Sequence, residues 1–528
     1  MKGFATLICL LFSFTTLLGE SKKPNIIFIL VDDMGYSDIG CYGGEVKTPN
    51  LDRLAQNGLR FTQMHNTSKC FPSRATLLTG LYAQDCGMSQ NFEKFSNAVT
   101  LAEVLKSVGY RTLASGKHHS RESLFDRGFD RYFGLLDGAT NHFNPGLTRD
   151  GDVKPSQKKY GQRLWAIDDK VLKPYTPKEK DFYSTDYYTK YAIDYLEEYK
   201  NEDKPFFLYL SYTAPHDPLQ AWWEDVGKYK DTYKVGYEAI RSARIAKLKQ
   251  LGLIHSDVSK AVHKPWDSLD ERTKEIEARK MAIYAAMIDR VDQKIGELIT
   301  KLEELGELNN TLIMFAADNG NSAENAEKSV QKGNTVEDGF PLDKIHTIEY
   351  WASLGKNWAN VSNTPYVSYK NSSREGGICT PFIAHWPKGI AKPGSINKKF
   401  TGHFIDVMAT IVDITGAQYP AEFKGQEVKP MAGVSFLPQL KGDLNSVRNK
   451  NIYWQWSVGK AVRQGKWKAV AGGSKWSLFD MEQDCNETND LAKDFPEKLE
   501  SMKKQWQDWY ASTSAPALKA KGKKKGKK

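Results

Sequence analysis

The stretch Pro24-Asn25-Ile26-Ile27-Phe28-Ile29-Leu30-Val31-Asp32-Asp33 decides the predicted fold. Its apolar run is uninterrupted and rich in branched side chains, which is typical of a central strand buried on both faces of a parallel sheet. Similar runs occur at 204–211 and 311–317. The two carboxylates after the first run therefore lie where a central strand ends.

Helical patterns separate these strands. The longest predicted helix begins at Ser268, with Glu271 completing a capping box, and its apolar residues recur at steps of three and four. Helices that alternate with buried strands predict an α/β fold around a large, mostly parallel sheet.

The C-terminal part has a different pattern. Short alternating strands with glycine turns occur between 453 and 480, and a helical pattern covers 497–510. We therefore predict a small antiparallel sheet plus one helix at 445–510, after a catalytic domain at 20–444.

Both ends of the chain have distinctive compositions. Residues 1–19 combine Lys2, an apolar run and the small Gly19, which predicts a secretory signal peptide and no stable membrane insertion of the mature protein. An uncleaved membrane anchor is the alternative. Residues 511–528 form a Lys-rich tail that we expect to be disordered.

The charge of the chain is concentrated in that tail. The net charge is +10, but seven lysines lie in the last ten residues, so the remainder carries only +3. A nearly neutral body does not offer the basic face that nucleic acids require, so we expect no nucleic-acid partner. The six cysteines are too few for a disulfide scaffold.

Polar residues gather at the predicted strand ends. Asp32 and Asp33 follow the first strand, His216 follows the second, and Asp318 and Asn319 follow the third. Because ligands of open α/β sheets bind beyond the carboxyl ends of the strands, we expect these side chains to meet. Oxygen ligands of this kind fit Ca²⁺ or Mg²⁺, although a cap or turn role is the alternative for any single aspartate.

Cys70 begins the sequence Cys70-Phe71-Pro72-Ser73-Arg74, at the start of a short predicted helix. Unpaired amides at a helix N-terminus attract an anion, and Arg74 adds a planar donor group for sulfate or phosphate oxygens. Taken alone, this pattern fits a nucleophilic thiol in an anion pocket, and a buried structural cysteine is the alternative.

The eleven residues from Cys70 to Gly80, CFPSRATLLTG, resemble the signature of the formylglycine-dependent sulfatases of the alkaline phosphatase superfamily. Over about residues 23–510 the chain resembles bacterial arylsulfatase-like polysaccharide sulfatases. The resemblance implies an alkaline phosphatase-like sandwich and a sulfuric ester hydrolase. It also implies that a formylglycine-generating maturation enzyme oxidises Cys70 to Cα-formylglycine.

The resemblance assigns a role to each residue that matches a family motif. The implied ligands of one divalent ion, usually Ca²⁺, are Asp32, Asp33, Cys70 as formylglycine, Asp318 and Asn319. The implied catalytic residues are Cys70, Arg74, Lys117, His119, His216 and Lys370.

These roles imply a mechanism. Arg74 orients the hydrate of formylglycine, Lys117 and Lys370 bind the sulfate oxygens, and one hydroxyl of the hydrate attacks sulfur. His216, helped by Lys370, protonates the departing oxygen.

The second hydroxyl of the hydrate is then deprotonated to release sulfate. The resemblance assigns that step to His119, and the adjacent His118 is the alternative.

The expected substrate is a sulfated carbohydrate. The segments 138–185 and 321–365, with Trp222-Trp223, are long connections of the kind that line specificity pockets. Asn141, His142 and Asn144 are candidate substrate contacts, and local loop hydrogen bonds are the alternative.

Five Asn-x-Ser/Thr sequons occur, and those at Asn66 and Asn371 lie so close to Cys70 and Lys370 that glycans would crowd the site. We therefore expect an exported bacterial enzyme, periplasmic or extracellular, in preference to a glycosylated lysosomal one. Two alternative functions remain: a phosphate ester hydrolase of the same superfamily, and a non-enzymatic protein that binds anionic polysaccharide.

Overall fold

The computed structural model describes residues 22–159, 161–254, 258, 264–325 and 341–516. The predicted signal peptide at 1–19 and residues 517–528 of the tail predicted at 511–528 lie outside the described residues, while Ala511 and Ser512 end the C-terminal helix and are not disordered. The strands of the large sheet are β1 (Asn25–Val31), β2 (Leu59–His65), β3 (Arg111–Gly116), β4 (Arg131–Leu135), β5 (Trp165–Ile167), β6 (Lys170–Leu172), β7 (Phe206–Ser211), β8 (Thr311–Ala317), β9 (Cys379–His385), β10 (Ser395–Asn397) and β11 (Gly402–His403).

The predicted large, mostly parallel sheet is confirmed. Its strand order is β10-β2-β9-β8-β1-β7-β3-β4-β5-β6, and β11 pairs with β2. The central strand β1 pairs in parallel with β7 and β8. The antiparallel pairs are those of β9 with its neighbours β2 and β8, of β5 with β4, and of the edge strand β6 with β5.

The helices of the described residues are α1 (Pro49–Gln56), α2 (Cys70–Thr79), α3 (Leu101–Lys106), α4 (Ser184–Tyr199), α5 (Trp223–Gly227), α6 (Gly236–Gln250), α7 (Glu271–Glu304), α8 (Lys356–Ser362), α9 (Glu375–Ile378), α10 (Ile405–Thr415), α11 (Leu437–Leu440) and α12 (Pro496–Ser512). They lie on both faces of the sheet. Alternate residues of β1 enter two separate hydrophobic cores, one shared with α4 and α7 and the other with α2 and α10. This two-sided burial explains the uninterrupted apolar run of β1 and produces the sandwich.

The predicted start of the longest helix is wrong. Ser268 lies in a short 3₁₀ turn, and α7 begins at Glu271. Asp270 is the cap, because its carboxylate accepts a hydrogen bond of 2.9 Å from the Thr273 amide. An aspartate at this position satisfies a free amide and places a negative charge at the positive end of the helix.

The predicted C-terminal antiparallel sheet and helix are confirmed. After a short hairpin of β12 (Glu422–Phe423) and β13 (Gln426–Glu427), the sheet consists of β14 (Ile452–Trp456), β15 (Gly459–Gln464), β16 (Trp467–Gly472) and β17 (Trp476–Asp480). One face packs against α12 through Met502 and Trp506, and the other face packs against Ile378 of α9. Within the described ranges, no helix is both long enough and apolar enough to span a membrane.

Candidate active site

The ends of β1 and β8 place four oxygen-bearing side chains together. Asp32 and Asp33 follow β1, Asp318 and Asn319 follow β8, and each of the four is at most 2% exposed. The Asp33 amide donates to Asp318 Oδ1 at 3.3 Å, and Asn319 Nδ2 donates to Asp33 Oδ1. The parallel pairing of the two strands therefore fixes the relative position of the carboxylates.

Cys70 is the first residue of α2 and is buried among these carboxylates. One candidate ligand atom from each of Asp32, Asp33, Cys70 and His216 lies within 4.8 Å of the other three. Burial, together with Asp32 and Asp318, outweighs the attraction of Lys117 and Lys370 and raises the pKa of the Cys70 thiol to about 11. The thiol is therefore protonated at neutral pH.

Arg74 lies one turn further along α2 and is 1% exposed. Its Nη2 lies 2.7 Å from Asp318 Oδ2, its Nη1 donates to the Lys117 carbonyl at 2.9 Å, and Nη1 also contacts Ser211 Oγ. Burial alone would lower the pKa of Arg74, but Asp318 and Asp32 raise it above its ordinary value. The guanidinium therefore has a fixed position and a permanent charge.

Two buried lysines bring further positive charge to the carboxylates. Lys117 follows β3, and its Nζ contacts Asp32 Oδ2. Lys370 Nζ lies 2.8 Å from Asp33, and the attraction of this carboxylate outweighs burial and raises the pKa of Lys370 well above its ordinary value. Both lysines point at the group of atoms around Cys70.

Glycine is required where β3 ends. Gly116 has φ 117°, and a Cβ at this residue would lie 1.8 Å from the Ser211 carbonyl oxygen. The adjacent Lys117 amide donates to that same carbonyl at 2.7 Å. Close approach of the two backbones therefore sets the position of Lys117.

His216 lies five residues beyond β7 and is held between two carboxylates. Its Nε2 is 3.4 Å from Asp33 Oδ2, and its Nδ1 is 2.6 Å from Asp217 Oδ1. Asp217 is itself held by Ser353 Oγ at 2.8 Å and by Trp351 Nε1 at 3.3 Å. Burial alone lowers the pKa of His216, but Asp33 raises it above the ordinary histidine value.

The two adjacent histidines have different surroundings. His119 lines the cleft above Cys70, where its ring packs against Phe71 and Phe92. His118 is buried against Phe95, and burial lowers its pKa to about 3. Burial and the charges of Lys117 and Arg74 hold the pKa of His119 well below its ordinary value, so its imidazole is neutral at neutral pH.

The structure does not bring the three candidate substrate contacts to the cleft. His142 is fully buried, with Nδ1 2.8 Å from Ser184 Oγ and Nε2 3.1 Å from the His216 carbonyl. Asn141 donates to the Ile348 carbonyl at 2.7 Å, and Asn144 donates to the Leu147 carbonyl at 2.8 Å. These contacts order the loop behind His216.

The oxygen ligands fit a hard divalent ion. Asp32 Oδ1 and Asn319 Oδ1 are buried and have no hydrogen-bond partner within the described residues. Burial and the neighbouring Asp318 raise the pKa of Asp32, because both disfavour its negative charge. A bound cation would offset this cost. Three carboxylates and one amide oxygen match the preference of Ca²⁺ or Mg²⁺ rather than that of a softer metal.

A cleft of about 590 Å³ opens over Cys70. The sequence segment 138–185 supplies much of its wall, as expected, but Trp351 and Trp358 are buried in the core rather than exposed to a ligand. The cleft is lined by Lys69, Cys70, Phe71, Phe92, His119, Arg121, Asp137, Gly138, Ala139, Lys158, Gln162, Arg163, Leu164, Lys173, His216, Glu324 and Lys370.

Sequence reasoning missed the supports of the site. Asp217 was not among the predicted site residues, although a carboxylate directly after His216 is a signal for an oriented imidazole. Ser211, which contacts Arg74, and Ser353, which holds Asp217, had no such signal, because their partners are more than a hundred residues away in the sequence.

The fold and this site define a hydrolase of the alkaline phosphatase-like class. The chain belongs to the sulfatase family: the family profile described as Sulfatase matches residues 24–417. The predicted family and the predicted sulfuric ester hydrolase are thereby confirmed. Sulfatases generally use formylglycine and a divalent metal ion.

The similarity extends over most of the chain. The chain is 34% identical over 461 residues to an arylsulfatase of Klebsiella aerogenes, and the alignment covers 82% of this chain and 96% of that protein. It is 32% identical over 545 residues to an uncharacterized sulfatase of Schizosaccharomyces pombe, covering 94% and 95%. The crystal structure of Ps i-CgsB in complex with k-i-k-neocarrahexaose superposes with a TM-score of 0.67 at 25% identity, covering 94% of this chain and 95% of that one.

Proposed function

We propose that this sulfatase hydrolyses a sulfate ester of a carbohydrate, that residue 70 acts after its conversion to formylglycine, and that the metal ion is Ca²⁺. One observation carries the proposal. Cys70 lies at the base of a sugar-sized cleft, where Arg74, Lys117 and Lys370 converge on the same small group of buried oxygens.

The state of the thiol supports the modification. A thiol with a pKa of about 11 is a poor nucleophile at neutral pH, since the thiolate is the reactive form. Conversion by a maturation enzyme would give residue 70 an aldehyde, whose hydrate supplies one hydroxyl to attack sulfur and a second through which sulfate is released.

The charges around residue 70 fit a sulfate group. Lys117 and Lys370 would bind its oxygens, and Arg74 would hold residue 70 in place while compensating negative charge. Asp32, Asp33, Asp318 and Asn319 would hold the metal ion, which supplies a fixed positive charge to the sulfate and to residue 70.

The two histidines suit opposite proton transfers. His216 is held by Asp217 in an orientation that leaves Nε2 toward Asp33 and the cleft, so it would donate a proton to the departing sugar oxygen. His119 is neutral and lines the same cleft, so it would accept the proton whose removal releases sulfate.

The cleft supports a carbohydrate substrate. Its volume of about 590 Å³ suits a small saccharide, and the aromatic side chains of Phe71 and Phe92 are part of its wall. The neocarrahexaose in the Ps i-CgsB complex is consistent with a saccharide for this chain.

Sulfate release tests the proposal. The matured protein, loaded with Ca²⁺, is incubated with a panel of sulfated mono- and disaccharides and with matched aryl sulfate and aryl phosphate esters, and a Cys70→Ala variant is the control. We expect release of sulfate from at least one saccharide and a preference for the aryl sulfate over the aryl phosphate. A preference for the phosphate ester would support the phosphate hydrolase alternative instead.

We also propose that the enzyme is exported by a bacterium to the periplasm or the medium. The composition of residues 1–19 supports this, as do the buried side chains of Asn66, Asn360 and Asn486, which a glycan would expose. N-terminal sequencing of the protein from its native host tests it: the expected mature chain lacks residues 1–19, and a chain that retains them would contradict the proposal.

A further inference from the structure

Three cations on the cleft wall form no contact ion pair with a described acid. Arg121, Lys158 and Lys173 line the cleft, and none of them forms an ion pair with a described residue. Each is partly or fully exposed, unlike the buried side chains around Cys70.

The two acidic residues of the cleft lining each contact a neighbouring group. Glu324 Oε1 lies 3.0 Å from Lys69 Nζ, and Asp137 Oδ2 accepts a hydrogen bond of 2.6 Å from the Leu164 amide. Apart from Lys370, five lysines and arginines and two acids line the cleft, so it has an excess of positive charge beyond the cations that surround residue 70.

Lys158 lies on the His216 side of the cleft. Its Nζ is 5.3 Å from the centre of the Trp351 ring, and Trp351 donates to Asp217. Burial raises the pKa of Asp217, but the charges of His216 and Lys158 hold it well below its usual range. Lys158 is thus close to the histidine that faces the leaving group.

Arg121 lies beside Phe92 of the cleft lining. Its guanidinium stacks on Phe92 at 4.4 Å from the ring centre, and Phe92 packs on His119 at 4.9 Å. An arginine stacked on an aromatic ring presents its donor edge to a ligand while the ring supports its face.

We propose that the substrate carries a second anionic group, a sulfate or a carboxylate, in addition to the sulfate that is cleaved, and that Lys158 and Lys173 of the cleft wall bind this group while Arg121, stacked on Phe92, contacts the saccharide. The inference rests on the proposed function and specifies its substrate class as a saccharide with at least two negative groups. Unpaired cations at the mouth of a cleft attract such a ligand and select against its singly charged analogue.

Calorimetric binding tests the inference without turnover. The Ca²⁺-loaded Cys70→Ala protein is titrated with matched disaccharide pairs from carrageenan and heparin that differ by one sulfate, and with pairs that differ by one carboxylate. The variants are Lys158→Ala/Lys173→Ala and Arg121→Ala. The control is Lys154→Ala/Lys170→Ala, which removes two exposed lysines from the same segments outside the cleft.

In at least one pair, the more anionic member should bind about tenfold more tightly, which corresponds to about 1.4 kcal/mol. The Lys158/Lys173 double variant should abolish that preference and leave the affinity of the less anionic member within about twofold of the parent. The control double variant should retain the preference. If the preference is larger in the pairs that differ by one sulfate, the second group is a sulfate; if it is larger in the pairs that differ by one carboxylate, the second group is a carboxylate.

Three outcomes would overturn the inference: no pair shows a preference, the preference survives in the Lys158/Lys173 variant, or the control variant loses it equally. Failure of the matured wild-type protein to release sulfate would instead overturn the proposed function. The two failures are distinguishable because the binding measurement uses a protein without the nucleophile.

Discussion

Cys70 lies at the first residue of α2, beside the carboxylates of Asp32 and Asp33. A thiol in these surroundings gains little from the helix N-terminus, because burial and the nearby acids disfavour its ionisation. An aldehyde at the same position does not need to ionise in order to be held there, since its hydrate is neutral. The surroundings of residue 70 therefore favour the modified side chain over the thiol.

Replacement of Cys70 by alanine should abolish turnover and leave the fold intact. The side chain is small and buried, so we expect a loss of stability of about 1–2 kcal/mol. Sulfate release and the thermal midpoint of the purified variant measure the two effects. Substantial residual turnover would contradict the role of residue 70.

Replacement of Asp217 by asparagine should slow the release of poor leaving groups selectively. The 2.6 Å contact to His216 Nδ1 orients the ring and stabilises its protonated form. We expect kcat for a sugar sulfate to fall about 10–100-fold, and kcat for 4-nitrophenyl sulfate, whose leaving group needs little protonation, to fall less than about threefold. Equal losses of kcat for both substrates would indicate a merely structural role.

At the scale of elements, a buried charge cluster joins α9 to the C-terminal sheet. Glu375 Oε1 lies 2.6 Å from Lys468 Nζ of β16, and Glu375 Oε2 lies 2.9 Å from His65 Nε2 of β2. Lys468 also lies 2.9 Å from Glu487 Oε1. The lysine occupies the position between the two acids, so the cluster connects the two sheets through ion pairs.

Replacement of Glu375 by glutamine should destabilise the protein in a pH-dependent way. Burial raises the pKa of Glu375, but Lys468 and His65 lower it well below the ordinary value. The stabilisation is therefore present above the unfolded pKa and is lost as the pH falls through the folded pKa. At pH 7 we expect a loss of about 3–5 kcal/mol.

Thermal unfolding from pH 7 to pH 3 checks this expectation, with the exposed Glu500→Gln of α12 as the control, for which a change under about 1 kcal/mol is expected. The difference between wild type and Glu375→Gln should shrink as the medium becomes more acidic. A difference that is constant with pH would contradict the ion-pair account.

The sequence predicted most of the elements that position the site. Buried strands such as β1 are uninterrupted apolar runs, a pattern that burial on both faces of the sheet explains. The ends of these strands were therefore predictable, and with them the positions of Asp32, Asp33, Asp318 and Asn319. The start of α7 was not predictable, because Ser268 and Asp270 are both favourable N-cap residues and only the local backbone conformation decides between them. The loop contacts of His142 and the cleft position of Lys158 depend on tertiary packing, which periodicity does not reveal.

At the scale of the whole molecule, the ion site links segments from β1, β8 and α2. The proposed ligand side chains come from three distant parts of the sequence, and the carboxylates repel one another without a cation. A bound ion should therefore stabilise the assembled sheet as well as support turnover.

Removal of the proposed Ca²⁺ should lower both turnover and the unfolding temperature. With Ca²⁺ at about a hundred times its dissociation constant, we expect a stabilisation of about 2.7 kcal/mol relative to the chelated protein. Differential scanning calorimetry with a chelator, followed by readdition of Ca²⁺, Mg²⁺ or Zn²⁺, measures the effect. An unfolding temperature that does not respond to any divalent ion would contradict the assigned ligands.

Mass spectrometry of the peptide that contains residue 70 tests the central claim most directly. The account predicts that protein active on a sulfate ester carries an aldehyde or its hydrate at residue 70, and that activity rises in proportion to the modified fraction. Full activity in protein whose residue 70 is entirely an unmodified cysteine would contradict it.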